Sequence, residues 1–204
     1  EEAKKISTLR LFGTMSNVRE KPVSVPFDGE SCDMKIVTSG RQKYAIPAED
    51  FTNYEVMPMT NETILYNEHG IWLVDPDTES SRELLPDSYN GKSYDELYNQ
   101  AIESGNQNGL VWSHQVCANQ SGSKLAYISD KENLHTYSVF MYDVASGQEK
   151  LVQVSPDYNY LMIGWVSEDV VLCYKIRGEG LTVVAIDGDG NEQVVNLATD
   201  DLFI

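Results

Sequence analysis

The residues of this chain that could do chemistry are few and widely spaced. The stretch DGDGN, Asp187 to Asn191, comes nearest to a metal-binding pattern. Carboxylates at Asp187 and Asp189, followed by Gly190 and Asn191, match the opening of a calcium loop, in which alternate positions supply oxygen ligands to a hard cation. Such a loop closes on a glutamate at its twelfth position, and counting from Asp187 that position is Ala198. Glu192 stands too early to replace it. The stretch therefore reads first as a glycine-rich hairpin turn with exposed carboxylates. Asp187, Asp189 and Asn191 remain the metal candidates.

Other reactive groupings are missing. His69, His114 and His135 lie too far apart for an HExxH or related ligand spacing. There is no GxSxG elbow, no Walker pattern and no GxGxxG after a strand. SGSK, residues 121 to 124, has the SxxK spacing but sits in a hairpin turn, and only a helix would bring those two side chains together. Cys32, Cys117 and Cys173 form no CxxC pair, and an odd number leaves at least one thiol free in a monomer. Cys117 and Cys173 fall in apolar strand patterns, where cysteine acts as a small hydrophobe. No spacing selects an acid–base pair from the 32 acidic residues, and no cofactor is expected. The triplets NET and NQS match the glycosylation acceptor pattern, but triplets this short arise by chance.

The elements that would position any site repeat along the chain. NETILYNEHGIWLVDPDTESSRELL (61–85), GSKLAYISDKENLHTYSVFMYDVASGQEKLV (122–152) and SEDVVLCYKIRGEGLTVVAIDGDGNEQVVNL (167–197) share one plan. Each has an apolar strand ending near Tyr66, Tyr127 or Tyr174. A second apolar strand ends in Asp75, Asp143 or Asp187, and a tight turn leads to a third that opens on polar residues. From Asp143 to Asp187 is 44 residues; from Asp75 to Asp143 is 68, or 47 once the 21 residues from Ser88 to Asn108 are set aside. Units of 40 to 50 residues with several strands each are the sequence signature of propeller blades. SVFMYDV and LTVVAI are nearly continuous apolar runs, as expected of strands buried on both faces. A preceding strand in each unit is expected within YEVMPM, LVWSHQVCANQ and YLMIGWVSED.

The pattern W…S…G.KLAYISD…..VFMYDVASGQEKLV resembles the blades of TolB-type propellers, which also form the propeller domains of dipeptidyl-peptidase-like enzymes. The resemblance runs from about residue 57 to 197 and is strongest over 110–155, with NQSGS standing where such blades carry SPDG. It implies an all-β, propeller-like fold with three recognisable four-stranded blades at 54–86, 110–155 and 158–198. It carries no catalytic residues. It implies an extracytoplasmic setting and a binding role, or else an accessory propeller domain of an enzyme whose catalytic part lies outside this chain.

Residues 1–50 read as a divergent β segment from STLRLFG, KPVSVPF, DMKIVTS and QKYAIPA, with Pro22, Pro26 and Pro47 suiting edge positions. It is either a fourth blade or a cover over an open side, since three blades cannot close a ring. Residues 87–109 form an insertion with a helix near 93–104. Ser93 and Glu96 have capping-box spacing, Gly105 ends the helix, and Tyr94, Leu97, Ala101 and Ile102 face inward.

Ligand-binding candidates are the aromatics Trp112, Tyr94, Tyr98 and Trp165 together with His114, which lies on a first strand of the kind that lines a propeller's channel. The alternative for such aromatics is stacking between blades. A net charge of −17 on 204 residues disfavours nucleic acid and anionic lipid surfaces. No apolar run reaches the ~20 residues that cross a membrane as a helix. A protein or small ligand taken through the loop face is the expected partner, with the oligomeric state open.

Overall fold

The computed structural model describes residues 19–48, 53–57 and 59–195. The expected strand over residues 7–13, and residues 196–198 of the third unit, lie outside them. Strands β1 (Arg19–Phe27), β2 (Glu30–Ser39) and β3 (Gln42–Pro47) form a first, three-stranded meander. A second sheet holds β4 (Tyr54–Val56), β5 (Thr63–Tyr66), β6 (Ile71–Asp75) and β7 (Ser80–Glu83). The insertion follows, as a short hairpin of β8 (Ser88–Tyr89) and β9 (Lys92–Ser93) and the helix α1 (Tyr94–Glu103). The third sheet holds β10 (His114–Ala118), β11 (Lys124–Ser129), β12 (Ser138–Asp143) and β13 (Gln148–Gln153). The fourth holds β14 (Asn159–Trp165), β15 (Val170–Arg177), β16 (Gly180–Asp187) and β17 (Glu192–Val194). All pairings are antiparallel between strands consecutive in sequence. The fold is all-β and propeller-like.

The aspartates that end the middle strands explain the repeat. Asp75, Asp143 and Asp187 each close a third strand of their sheet and turn the carboxylate onto the next loop. Asp75 accepts from the Asp77 amide, Asp143 from the Ser146 amide, and Asp187 from the amides of Asp189 and Asn191. Such local bonds replace the hydrogen bonds a reversing backbone gives up. They hold all three carboxyls below the ordinary 3.8.

The sheets stack face to face, and period-2 alternation decides which core each residue enters. In β6, Trp72 and Val74 meet Val25, Met34, Ile36 and Ala45 of the first sheet, while Ile71 and Leu73 face the third. In β12, Phe140 and Tyr142 face the second sheet, and Val139 and Met141 meet Val171, Cys173, Val184 and Ile186 of the fourth. The run SVFMYD is therefore buried on both faces. LTVVAI is so only in part: Val184 and Ile186 are buried on one face, while on the other Val183 is buried but Leu181 is 59% exposed. Among the described residues, no hydrophobic cluster joins the fourth sheet to the first.

The first sheet departs from the other three in direction. Its β1 lies against β7 and its β3 against β4 and β5. The Ser81 hydroxyl donates to the Pro26 carbonyl, and Thr63 Oγ1 donates to the Ala45 carbonyl at 2.5 Å. The meander thus runs from the last strand of its neighbour toward the first, opposite to the neighbour's own course, and covers the face of the second sheet. Pro22 and Pro26 lie on β1 and Pro47 on β3, the two edge strands, where a missing amide hydrogen costs no ladder bond.

Helix α1 fills the wedge between the second and third sheets. Ser93 caps it, its hydroxyl accepting from the Glu96 amide while the Glu96 carboxylate accepts from the Ser93 amide. Leu97 and Ala101 enter the shared core with Leu84, Leu110 and Trp112. Ile102, expected inward, is 44% exposed. The buried stripe follows positions 94, 97 and 101, and Ile102 lies past its edge.

Candidate functional site

The first strands of the three four-stranded sheets, β4, β10 and β14, come together along one side of the stack. Cross-sheet bonds hold them there. The Ala118 amide of β10 donates to Glu55 Oε2 of β4 at 3.1 Å. The Met162 amide of β14 donates to Gln115 Oε1 of β10 at 2.7 Å, and Trp165 Nε1 donates to the Cys117 carbonyl at 3.0 Å. Backbone groups that would otherwise pair within a sheet are spent on a neighbouring one, which requires the regular ladders to be interrupted.

They are interrupted in both strands. The β10–β11 register shifts between His114 and Cys117, where Gln115 has a φ of +48°. The β14–β15 register shifts between Met162 and Gly164, where Gly164 has a φ of +147°. A Cβ on Gly164 would meet nothing within 4 Å, so glycine is required there by the backbone and not by crowding. A non-glycine residue in the left-handed region carries a conformational cost. Bulges re-aim the side chains beside them.

Between these strands lies a cavity of about 430 Å³ lined by Glu55, Cys117, Ala118, Gln120 and residues Ile163 to Ser167. Ile163 and Val166 are 44% and 58% exposed at its rim. Burial pushes the Glu55 carboxyl above its ordinary 4.5, against the pull of the Ala118 amide. Burial, then Glu55 and Cys173, pushes the Cys117 thiol up to about 12, and burial does the same to Cys173. Neither thiol is ionised near neutral pH, so neither is a nucleophile there. The cleft offers one carboxylate, one indole, amide and hydroxyl side chains and an apolar rim. That combination can orient and hold a ligand.

Only Trp165 of the sequence-derived candidates lines this cleft. Tyr94 and Trp112 line a second cavity of about 340 Å³ with Asp28, His69, Glu83, Pro86, Asp87 and Asp95. There Tyr94 meets Trp112 edge-on at 5.8 Å and His69 at 5.3 Å, and Tyr98 stacks on Tyr94 at 6.0 Å, outside the lining. His69 Nδ1 lies 2.8 Å from Asp28 Oδ2. Burial pushes the Tyr94 hydroxyl up to about 12. Trp112 itself is buried in the core. His114 opens β10 with its ring 6.5 Å from that of Tyr137 and lines neither cavity. A third cavity, about 330 Å³, lies near His135, Asp130 and Tyr137. Asp187, Asp189 and Asn191 sit in the turn before β17, where Asn191 Nδ2 also donates to Asp187 Oδ2. Among the described residues no three or more His, Cys, Asp or Glu side chains are grouped to hold a metal.

Glu55, Gln115 and Cys117 were not singled out from the sequence as site residues. Nothing local marks them: Glu55 reads as the polar face of a short strand, and the bulge at Gln115 carries no glycine.

Sheets of consecutive strands, stacked face to face with their first strands on one side, define a propeller-like protein. No protein-family model matches the sequence, and no curated protein matches it. Among solved structures the chain is similar to TolB from Acinetobacter baumannii, at 12% identity over 88% of this chain and 54% of that one, with a TM-score of 0.34. It is similar to the β-propeller domain of the Trilobed protease from Pyrococcus furiosus, at 12% identity over 89% and 58%, with a TM-score of 0.48. It is also similar to the acylaminoacyl peptidase of Pyrococcus horikoshii, at 10% identity over 88% and 32%, with a TM-score of 0.48. The chain thus spans about half or less of two of these proteins and under two thirds of the third. The likeness concerns the fold alone.

Proposed function

We propose that this chain is a non-enzymatic, extracytoplasmic binding module that takes a protein segment or small ligand in the cleft between β4, β10 and β14. The observation that supports it is the pair of register breaks, at Gln115 and Gly164, on the two strands that wall one cavity. A third register shift, between Val139 and Phe140, lies in a core strand that does not line the cleft; the two beside the cavity re-aim the side chains of its wall. The extracytoplasmic setting rests on the blade resemblance.

The test is selection of linear peptides from a random library on the immobilised protein, followed by binding to two variants. Peptides specific for the cleft lose affinity at least tenfold on Trp165→Ala and keep it on Tyr98→Ala, which alters the helix instead. Selected peptides indifferent to Trp165→Ala would sink the assignment of this cleft.

A further inference from the structure

We infer that the cleft between β4, β10 and β14 is a pocket for a primary ammonium carried on an apolar stem, the chemistry shared by a lysine side chain and a free alkylamine. This rests on the binding reading above and names the ligand class.

The inference starts from Glu55. Its side chain is half-buried, yet it takes part in none of the ion pairs among the described residues. Its one hydrogen-bond partner there is the Ala118 amide, on Oε2. A carboxylate withdrawn from water is costly unless a cation or several donors compensate it. One amide is partial compensation, and Oε1 is left as an acceptor beside an open cavity. Among the described residues Glu149 and Glu192 are compensated by cations, Lys131 at 2.6 Å and Lys175 at 2.7 Å, and buried Asp130, which has no ion pair, accepts from both the Val111 amide and the Asn106 side-chain amide.

The rest of the lining narrows the cation. Gln120 and Ser167 line the same cavity, and each side chain carries an oxygen able to accept from an ammonium besides Glu55. The Trp165 ring in the wall supplies a face that attracts a cation. Ile163, Val166 and Ala118 give apolar surface for a methylene stem. A guanidinium fits less well, because its fork wants two parallel carboxylate oxygens and Oε2 already serves Ala118. The net charge of −17 favours the approach of any cation.

The experiment follows the backbone and indole amide resonances of the ¹⁵N-labelled protein during titration with three probes. They are n-butylammonium chloride, n-butanol as its neutral counterpart, and the blocked tripeptide acetyl-Gly-Lys-Gly-amide. Trp72 and Trp112 are buried elsewhere and serve as internal controls. Butylammonium is expected to shift the Trp165 indole and the Ala118 amide saturably, at least tenfold more tightly than butanol. Glu55→Gln, which keeps an oxygen for the Ala118 amide, is expected to erase that preference. A tripeptide at least tenfold tighter than butylammonium assigns the ammonium to a partner's lysine; equal affinities assign it to a free amine. Equal affinity for butylammonium and butanol on the wild-type protein overturns the ammonium inference with no reliance on a variant, and leaves the cleft standing as an apolar site. No saturable shift at Trp165 with either cation also overturns it, whereas the peptide selection tests the cleft separately.

Discussion

Replacing Lys131 by methionine should be among the most damaging single changes in this protein. The side chain is fully buried, and its ammonium lies 4.6 to 5.3 Å from the ring centres of Phe140, Trp112, Tyr89 and Tyr127. It pairs with Glu149 at 2.6 Å and donates to the Tyr127 hydroxyl at 3.0 Å. Tyr127 in turn donates to the Glu149 carboxylate. One cation thus ties the insertion hairpin, through Tyr89, to three strands of the third sheet. Methionine keeps most of the volume and suits an aromatic cage, so the loss is electrostatic: a carboxylate only 12% exposed is left with no counter-charge. Removing one partner of a buried pair costs about 3–5 kcal/mol. Glu149→Gln alone strands the ammonium and should cost a comparable amount. The double variant Lys131→Met/Glu149→Gln removes both charges while the glutamine still accepts from Tyr127. It should recover about 2 kcal/mol relative to Lys131→Met, since apolar replacement of a buried pair is often close to neutral. Urea midpoints at constant slope, read as a double-mutant cycle, measure this directly. A loss below about 1 kcal/mol for Lys131→Met, or a double variant no more stable than the single, would refute the assignment.

Three further outcomes are expected. Glu55 faces Tyr66 of β5 and Cys117 of β10, and its folded pKa lies above 4.5. The folded state therefore binds that proton more tightly than the unfolded one, and this group makes stability fall as pH rises from 4.5 through the folded value. Glu55→Gln should flatten that part of a stability–pH curve, and butylammonium affinity should drop as pH falls through the same window. At Gly190, φ is +84° and an added Cβ would lie 2.5 Å from the Val152 carbonyl oxygen. Gly190→Ala should cost about 2 kcal/mol or more in urea midpoints, combining strain with a backbone clash between the third and fourth sheets. Ser93→Ala removes the capping box of α1 and should cost about 1 kcal/mol by the same assay.

The repeat was legible because its marks are local. Asp75, Asp143 and Asp187 sit at one place in each unit for a reason that needs only the next four residues, and Ser93 and Glu96 mark a helix start within a single turn. The direction of the first sheet was not legible. A meander has the same apolar alternation whether its first or last strand lies outermost, so KPVSVPF, DMKIVTS and QKYAIPA fit both a fourth blade and a cover. The cleft was hidden for another reason. Glu55, Cys117 and Trp165 are about 50 to 60 residues apart and meet only because the stack places first strands together. Lys131 shows the same limit: in YISDKEN it reads as a solvated loop lysine, and only the folding of Tyr89, Trp112, Tyr127 and Phe140 around it makes a cage.

The reversed course of the first sheet gives the stack a polarity like that of a filament with one blocked end. Each four-stranded unit starts at its first strand and hands the chain on from its last, so a duplicated unit can follow the fourth sheet and dock as its predecessors do. On the other side the hand-over runs from β3 into β4, first edge to first edge, and a unit wound in the common sense cannot repeat it. A duplicated unit docked after the fourth sheet in the common sense would cover the face that carries Leu181 and Tyr174.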